Sequence, residues 1–451
     1  MVNNLTEGKP LKLLFFFAMP MVVGNLFQQL YNMVDSMVVG RFVGEDALAA
    51  VGSSFPVVFL SVAIAAGLSM GCTVVISQFF GAGKIRDMKV TVSTSLISLG
   101  VIGLGIMALG EMIALPLLKL LGTDPDIMAD SLAYLRIYFG GAVFLFLYNT
   151  LNGIYNALGD SKTPLKFLMV SALTNIVLDL LFVIKFHMGV AGVAWATLIA
   201  QGLCAFVSFF VLIGRLKKME DEPGNTQISF SYFDADAARR IAKVGIPSML
   251  QQSIVSVSMM MMQGLVNSYG KVFVAGYTAA TKIDTLAMLP NMNFSNAMSS
   301  YTAQNIGAGK HDRVKQGYKA SMFMVVVFSL VITAFIFLFG PQLLGLFLNQ
   351  GSEGSAMSYG LQYMQTVSVF YILMGVLFVS NGLLRGAGDM GAFMLSSVAN
   401  LFCRVAAAYL LAHFIGVSAI WWSIPTGWII GSVFSILRVR GGKWSRKTLV
   451  G

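Results

Sequence analysis

The chain has 451 residues, 57% of them hydrophobic and only 11% charged, with a mean hydropathy of +0.77. That composition excludes a string of soluble domains and makes the bilayer the natural solvent. The net charge of +10 does not argue for nucleic acid, because the basic residues form short clusters between long apolar runs and no soluble basic domain.

A membrane helix needs about 20 mostly apolar residues. Lys9 and Lys12 precede the first apolar run, which continues beyond signal-peptide length with no clear small-residue cleavage site, so it is predicted to be retained as the first span. Six spans are expected near 13–38, 50–78, 91–112, 131–155, 164–186 and 190–213. The polar stretch Arg215 to Arg240, with Pro223, Gly224 and Asn225, reads as a linker. Six more spans follow near 241–268, 276–304, 318–340, 357–384, 392–414 and 416–438. The expected organisation is an N-lobe over 1–214, a linker over 215–240 and a C-lobe over 241–451.

Lys and Arg fall on alternate loops, at Lys84, Arg86, Lys89, Lys162, Lys166, Lys310, Arg313, Lys315 and Lys319, in Arg215–Lys243 and in Arg438–Lys447. The opposite loops hold acids such as Glu45, Asp46, Asp124, Asp126 and Glu353. The positive-inside rule then places both termini in the cytoplasm. Cys72, Cys204 and Cys403 lie far apart inside apolar segments and read as small buried hydrophobes, without a disulfide framework or a Cys-x-x-Cys metal site.

The halves repeat at an offset near 227: Gln78-Phe-Phe-Gly-Ala-Gly-Lys84 returns as Gln304-Asn-Ile-Gly-Ala-Gly-Lys310. Pro20 matches Pro247, Asn152-Gly153 through Gly159-Asp160 match Asn381-Gly382 through Gly388-Asp389, Asn175 matches Asn400, and Trp195 matches Trp422. Six spans per repeat start both repeats on one side. The expected fold is therefore all-α integral membrane, with twelve transmembrane helices in two six-helix lobes related by a pseudo-two-fold along the membrane normal.

The Gly-Ala-Gly-Lys runs are not phosphate loops, since the pattern needs Gly-x-x-x-x-Gly-Lys-Ser/Thr and Gln78 and Ile85, or Gln304 and His311, occupy its ends. They read as helix stops followed by a lysine that complements the helix dipole. Gly67-Leu-Ser69-Met-Gly71 matches the nucleophile-elbow pattern but lies within a helix, where small residues four apart let helices approach closely. His187, His311 and His413 form no constellation, so neither catalysis nor a metal site is expected.

Ionisable groups inside spans are costly, about 2.5 to 3.5 kcal/mol on insertion scales. Asp35 lies about five residues before the outer end of the first span, Asp179 about six before that of the fifth, and Thr197 about seven into the sixth, which at ~1.5 Å per residue puts all three at one depth. Asn175, four residues before Asp179, shares its face. Such an oxygen-rich cluster can hold Na⁺, or a proton if burial and mutual repulsion favour a neutral carboxyl. Alternatively it is a hydrogen-bonded pair that fixes two helices. In the second half Met262, Arg404 and Ile424 stand at the equivalent positions, so the cluster occurs once. Lys282, Asp284 and Arg404 are candidate cleft charges. Gln28, Tyr31, Met259, Met260 and Met262 are candidates for a substrate cleft, because methionine gives adaptable apolar surface. Pro20 is expected to bend the first span.

With these residues in view the chain resembles the multidrug and toxic compound extrusion (MATE) transporters, and Asn25-Leu-Phe-Gln-Gln-Leu-Tyr-Asn-Met-Val-Asp35 looks like the opening segment of their MepA-like bacterial branch. The resemblance implies a V-shaped pair of lobes in a bacterial cytoplasmic membrane. It further implies a monomer that exports organic cations or amphipathic drugs in exchange for H⁺ or Na⁺, with membrane lipids around it and no nucleic-acid partner or cofactor. Asp35, Asn175, Asp179 and Thr197 match the family's N-lobe cation site. Some members use a C-lobe acidic site instead; Gln251 and Gln252 stand here without a membrane-embedded acid on the seventh or tenth span. Flippases for lipid-linked oligosaccharide precursors share the two-lobe plan and are the alternative reading.

Overall fold

A computed structural model describes residues 4–219, 232–348 and 354–450; the linker residues Pro223, Gly224 and Asn225 and the loop acid Glu353 lie outside the described residues. Among the described residues there are fourteen α-helices and no strand. In the first repeat they are α1 Pro10–Val38, α2 Glu45–Gly81, α3 Ile85–Leu120, α4 Met128–Gly140, α5 Ala142–Ala157, α6 Lys162–Leu180 and α7 Gly189–Lys217. In the second they are α8 Ala235–Asn267, α9 Lys271–Gly307, α10 His311–Gly345, α11 Gly354–Ser368, α12 Tyr371–Gly386, α13 Met390–Ile415 and α14 Ser418–Arg440.

The surplus over twelve has a simple origin. α4 and α5 are one predicted span bent by 50°, and α11 and α12 are another bent by 52°. Among the described residues, eight helices are long and apolar enough to cross a membrane alone, and the bent pairs bring the number to ten. α8 and α9, at 33 and 37 residues, fall short on apolarity and not on length.

Two compact units result: Val23–Leu250, and Asn4–Val22 with Gln251–Gly451. The start of α1 thus belongs with the second unit, and the start of α8 with the first.

Within each unit the repeat is kept as geometry. In the first, Ser69 Oγ on α2 donates to the Asn149 carbonyl on α5 at 2.6 Å, and Gly153 packs so tightly that an added Cβ would lie 2.4 Å from that hydroxyl. In the second, Ser295 Oγ on α9 donates to the Phe378 carbonyl on α12 at 2.6 Å, and a Cβ on Gly382 would lie 2.3 Å from the Ser295 carbonyl oxygen. Association in lipid relies on such close contact, since the surrounding chains are as apolar as leucine. Gly67 and Gly71 serve the same purpose against α8: a Cβ there would fall 2.4 Å from Met249 Cα and 2.5 Å from the Ile241 carbonyl oxygen.

The Gly-Ala-Gly-Lys runs end helices as the sequence predicts. Lys84 N–H bonds the Phe79 carbonyl at 3.1 Å and Lys310 N–H bonds that of Asn305 at 2.8 Å, closing Schellman-type turns. Gly83 and Gly309 hold φ of +71° and +70°, which glycine alone adopts without strain.

The twin Gly-Asp turns have partners that the repeat did not announce. Asp160 accepts from the Thr163 amide at 3.0 Å and its hydroxyl at 2.6 Å, and forms a short ion pair with Arg215 at the end of α7. Asp389 pairs with Arg438, near the end of α14, at 2.7 Å. Each repeat is therefore stitched from its middle turn to its last helix.

The segments ahead of α1 and α8 are also anchored. Leu5 and Thr6 are buried; Leu5 N–H donates to Gln304 Oε1 at 2.9 Å, Asn305 Nδ2 to the Leu5 carbonyl at 3.2 Å, Lys310 Nζ to the Thr6 carbonyl at 3.1 Å, and Arg313 to the Gly8 carbonyl at 3.0 Å. Ahead of α8, the Tyr232 carbonyl accepts from Ser93 at 2.6 Å and Asp234 N–H donates to Thr94 at 3.0 Å.

Two outcomes follow for stability. Gly382→Ala should lower the thermal midpoint of the detergent-solubilised protein by the equivalent of about 1–3 kcal/mol through overpacking, whereas Gly105→Ala, with nothing within 4 Å, should not lower it. Burial alone would push the Asp160 carboxyl up, but the hydrogen bonds from Thr163 and Arg215 and the guanidinium charge outweigh it and hold the carboxyl below its ordinary range. A depressed folded-state value stabilises above the unfolded value near ~4 and is lost as pH falls through it. Asp160→Asn should therefore melt earlier than wild type at pH ~7, with the gap closing in acid.

Candidate functional site

Two helices of the first unit each carry a pair of polar residues four apart, which places each pair on one helix face. On α1 these are Tyr31 and Asp35; on α6 they are Asn175 and Asp179. The carboxyls of Asp35 and Asp179 lie within electrostatic range of one another. Thr197 on α7 joins the helices from the third side: its Oγ1 accepts from Asn175 Nδ2 at 3.1 Å and lies 3.4 Å from the Tyr31 hydroxyl. Asn175 and Asp179 are each 1% exposed.

Local backbone helps to aim this cluster. Just beyond Asp35 the helix widens into a π turn, Val39–Val43, and just beyond Asp179 a second π turn spans Leu181–Lys185. The two turns pack together, and such turns recur at functional positions because they redirect side chains without ending the helix. Val38, Val39, Val183, Val190 and Val193 form a buried apolar layer beside the acids, together with Tyr134 of α4. A dry layer strengthens every electrostatic interaction next to it.

The cluster is short of donors. Asp35 Oδ1, Asn175 Oδ1 and both carboxyl oxygens of Asp179 are buried and accept no hydrogen bond from the described residues. Burying oxygen acceptors unmatched is expensive, and two facing carboxylates repel as well. A positive charge answers both costs. The donor set is oxygen only, which fits a proton or a hard cation such as Na⁺ and not a soft transition metal.

The second unit shows what the same positions do without acids. Met262, equivalent to Asp35, is 1% exposed and Ile424, equivalent to Thr197, is also 1% exposed; both fill the apolar core with Val266, Tyr363 and Trp428. Met262 is thus core and not cleft lining, since it lies four residues before the buried Val266 on the inward stripe of α8. Met259 and Met260 are each 54% exposed. Gln28 reaches Asn32 on its own helix at 3.4 Å, and Tyr31 belongs to the acid cluster through Thr197.

Of the candidate cleft charges, Asp284 and Arg404 lie within electrostatic range of each other. Asp284 is buried and accepts from the hydroxyls of Tyr363, at 3.0 Å, and Tyr371. Lys282, two residues away on α9 and so on another face, is exposed over the Phe347 ring. Arg404 keeps a buried Nε without a hydrogen-bond acceptor among the described residues. Pro20 lies within α1.

The sequence missed Tyr134, which lies within electrostatic range of both acids; α4 is brought there by tertiary packing, and no local signal marks it. It also missed the role of Tyr31, although the spacing to Asp35 carried it.

The family model described as MatE matches residues 20–181 and 247–410, one match per repeat. The chain belongs to the MATE family. It is 32% identical over 99% of its length to the probable multidrug resistance protein YpnP of Bacillus subtilis, covering 98% of that protein. It is 22% identical to the multidrug export protein MepA of Staphylococcus aureus, over 92% of this chain and 90% of that one. Among solved structures, a MATE protein in complex with MaL6 superposes at a TM-score of 0.90 with 25% identity over 99% of both chains. An outward-facing multidrug resistance MATE transporter superposes at 0.89 with 26% identity over 98% of both.

This MATE chain is a multi-pass membrane transporter and not an enzyme. Ser69 accordingly spends its hydroxyl on the α5 backbone and attacks nothing. Transporters of this family are ion-coupled. Replacing Thr197 with Val should remove the tie between α1, α6 and α7 and strand the Asn175 amide, at a cost of about 1–3 kcal/mol. Thermal unfolding should show a clear loss for Thr197→Val and near-recovery for Thr197→Ser.

Proposed function

We propose that this MATE transporter is a secondary active multidrug antiporter that exports cationic or amphipathic compounds in exchange for H⁺ or Na⁺. In this reading the coupling ion binds in the first unit at Asp35, Asn175, Asp179 and Thr197. The observation that carries the reading is the convergence of four donorless buried oxygens from Asp35, Asn175 and Asp179. The names of the relatives, a probable multidrug resistance protein and a multidrug export protein, support drug-like substrates.

The exchange follows from linkage. A cation at the acid pair removes the repulsion between α1 and α6 and favours the state in which the two helices close on each other. Substrate favours the other state, and differential affinity for the two states drives the antiport. Thr197 and Tyr31 hold the geometry through which loading is felt on three helices. Met259 and Met260 supply deformable apolar surface for substrates of varied shape. In the same reading both termini face the cytoplasm of a bacterial inner membrane, which the distribution of basic loops supports.

Asp35→Asn and Asp179→Asn should each abolish ion-driven efflux of a fluorescent organic cation from proteoliposomes while leaving the protein folded. Imposing a pH gradient and a sodium gradient separately on wild-type vesicles identifies the ion. Unchanged efflux in both variants would overturn the site.

A further inference from the structure

A groove of about 330 Å³ lies between the start of α1 and the middle of α10, both in the second unit. Leu11 and Phe15 form one wall, Phe323, Val327 and Phe328 the other, and Lys12 stands at the rim. Leu11, Phe323 and Val327 are 44%, 61% and 40% exposed, so the groove opens outward from the helices. Its size is at the small end of the ~300–1,000 Å³ typical of ligand clefts, room for one chain and not a whole lipid.

Lys12 puts a positive charge at the rim of the groove. Lys12 is the last charged residue before the apolar run of α1, and Lys319 the last before that of α10. Basic residues that close an apolar run sit at the level of the lipid headgroups. Lys319 precedes Phe323 by one helical turn on the same face. Both lysines are exposed, and neither has a carboxylate partner among the described residues, whereas Lys315 is taken by Asp312 at 3.0 Å. The acid in the preceding segment is the exposed Glu7, which Lys9 follows closely.

We propose that this groove binds an anionic phospholipid, with one acyl chain along Leu11, Phe15, Phe323, Val327 and Phe328 and the phosphate held between Lys12 and Lys319. The walls are pre-organised, since the segment ahead of α1 is fastened to the α9–α10 corner by Gln304, Asn305, Lys310 and Arg313; a preformed site loses little ordering entropy on binding. The ammonium group of Lys12 at the rim discriminates against an organic cation by like-charge repulsion.

The test uses the full chain purified in a mild detergent and native mass spectrometry with phosphatidylglycerol and phosphatidylcholine of identical acyl chains. Wild type should retain phosphatidylglycerol in preference. Lys12→Gln and Lys319→Gln should each weaken that preference about fivefold, from the ~1 kcal/mol of one basic residue near anionic headgroups. Val327→Trp, which fills the groove and leaves both lysines in place, should reduce retention of both lipids. A thermal midpoint for each variant separates loss of the site from loss of the fold. Equal retention of the two lipids by wild type, or an undiminished preference in both lysine variants, overturns the proposal. So does a Val327→Trp variant that loses binding of a fluorescent organic cation while keeping the lipid.

Discussion

Two carboxyls face one another in a dry part of the first unit, and neither finds a donor sufficient for its oxygens. Much of the surrounding architecture answers that constraint. The π turns after Asp35 and Asp179 bring the helix ends together, Thr197 braces the pair from α7, and the valine layer keeps water away. Removing any of these would leave the two carboxyls less closely held or more open to water, which weakens every electrostatic interaction between them.

The second unit supplies the contrast. It keeps the serine-to-carbonyl bond and the glycine approach that set the crossing of its central helices, yet Met262 and Ile424 turn the equivalent of the acid cluster into packed core. Helix crossings are thus under one constraint and the polar site under another. The first is imposed by the need for backbone approach in lipid, and duplication preserves it; the second is present in one copy and replaced by apolar packing in the other.

Much of this was legible beforehand, for identifiable reasons. Helix period and the cost of buried charge made Asp35, Asn175 and Asp179 stand out, and the repeated Gly-Ala-Gly-Lys fixed helix ends because a left-handed glycine has a strong local signature. What was hidden depends on tertiary approach. Nothing in Arg215 or Arg438 marks them as partners of Asp160 and Asp389, since the residues lie 55 and 49 positions apart. Of the bends that split two spans, one falls at the Gly140-Gly141 pair, a helix-breaking signal, and the other at Val369-Phe370, in ordinary apolar sequence. Met262 looked like cleft lining because four consecutive methionines surround the helix, and only packing shows which of them faces inward.

The anchored segment ahead of α1 bears on how the molecule is made. Leu5 finds its partner 299 residues later, at Gln304. Synthesis at ~5–20 residues per second leaves that segment waiting for roughly 15 to 60 seconds before its docking corner exists. The foot of the helix that carries Asp35 therefore reaches its place only late in biogenesis.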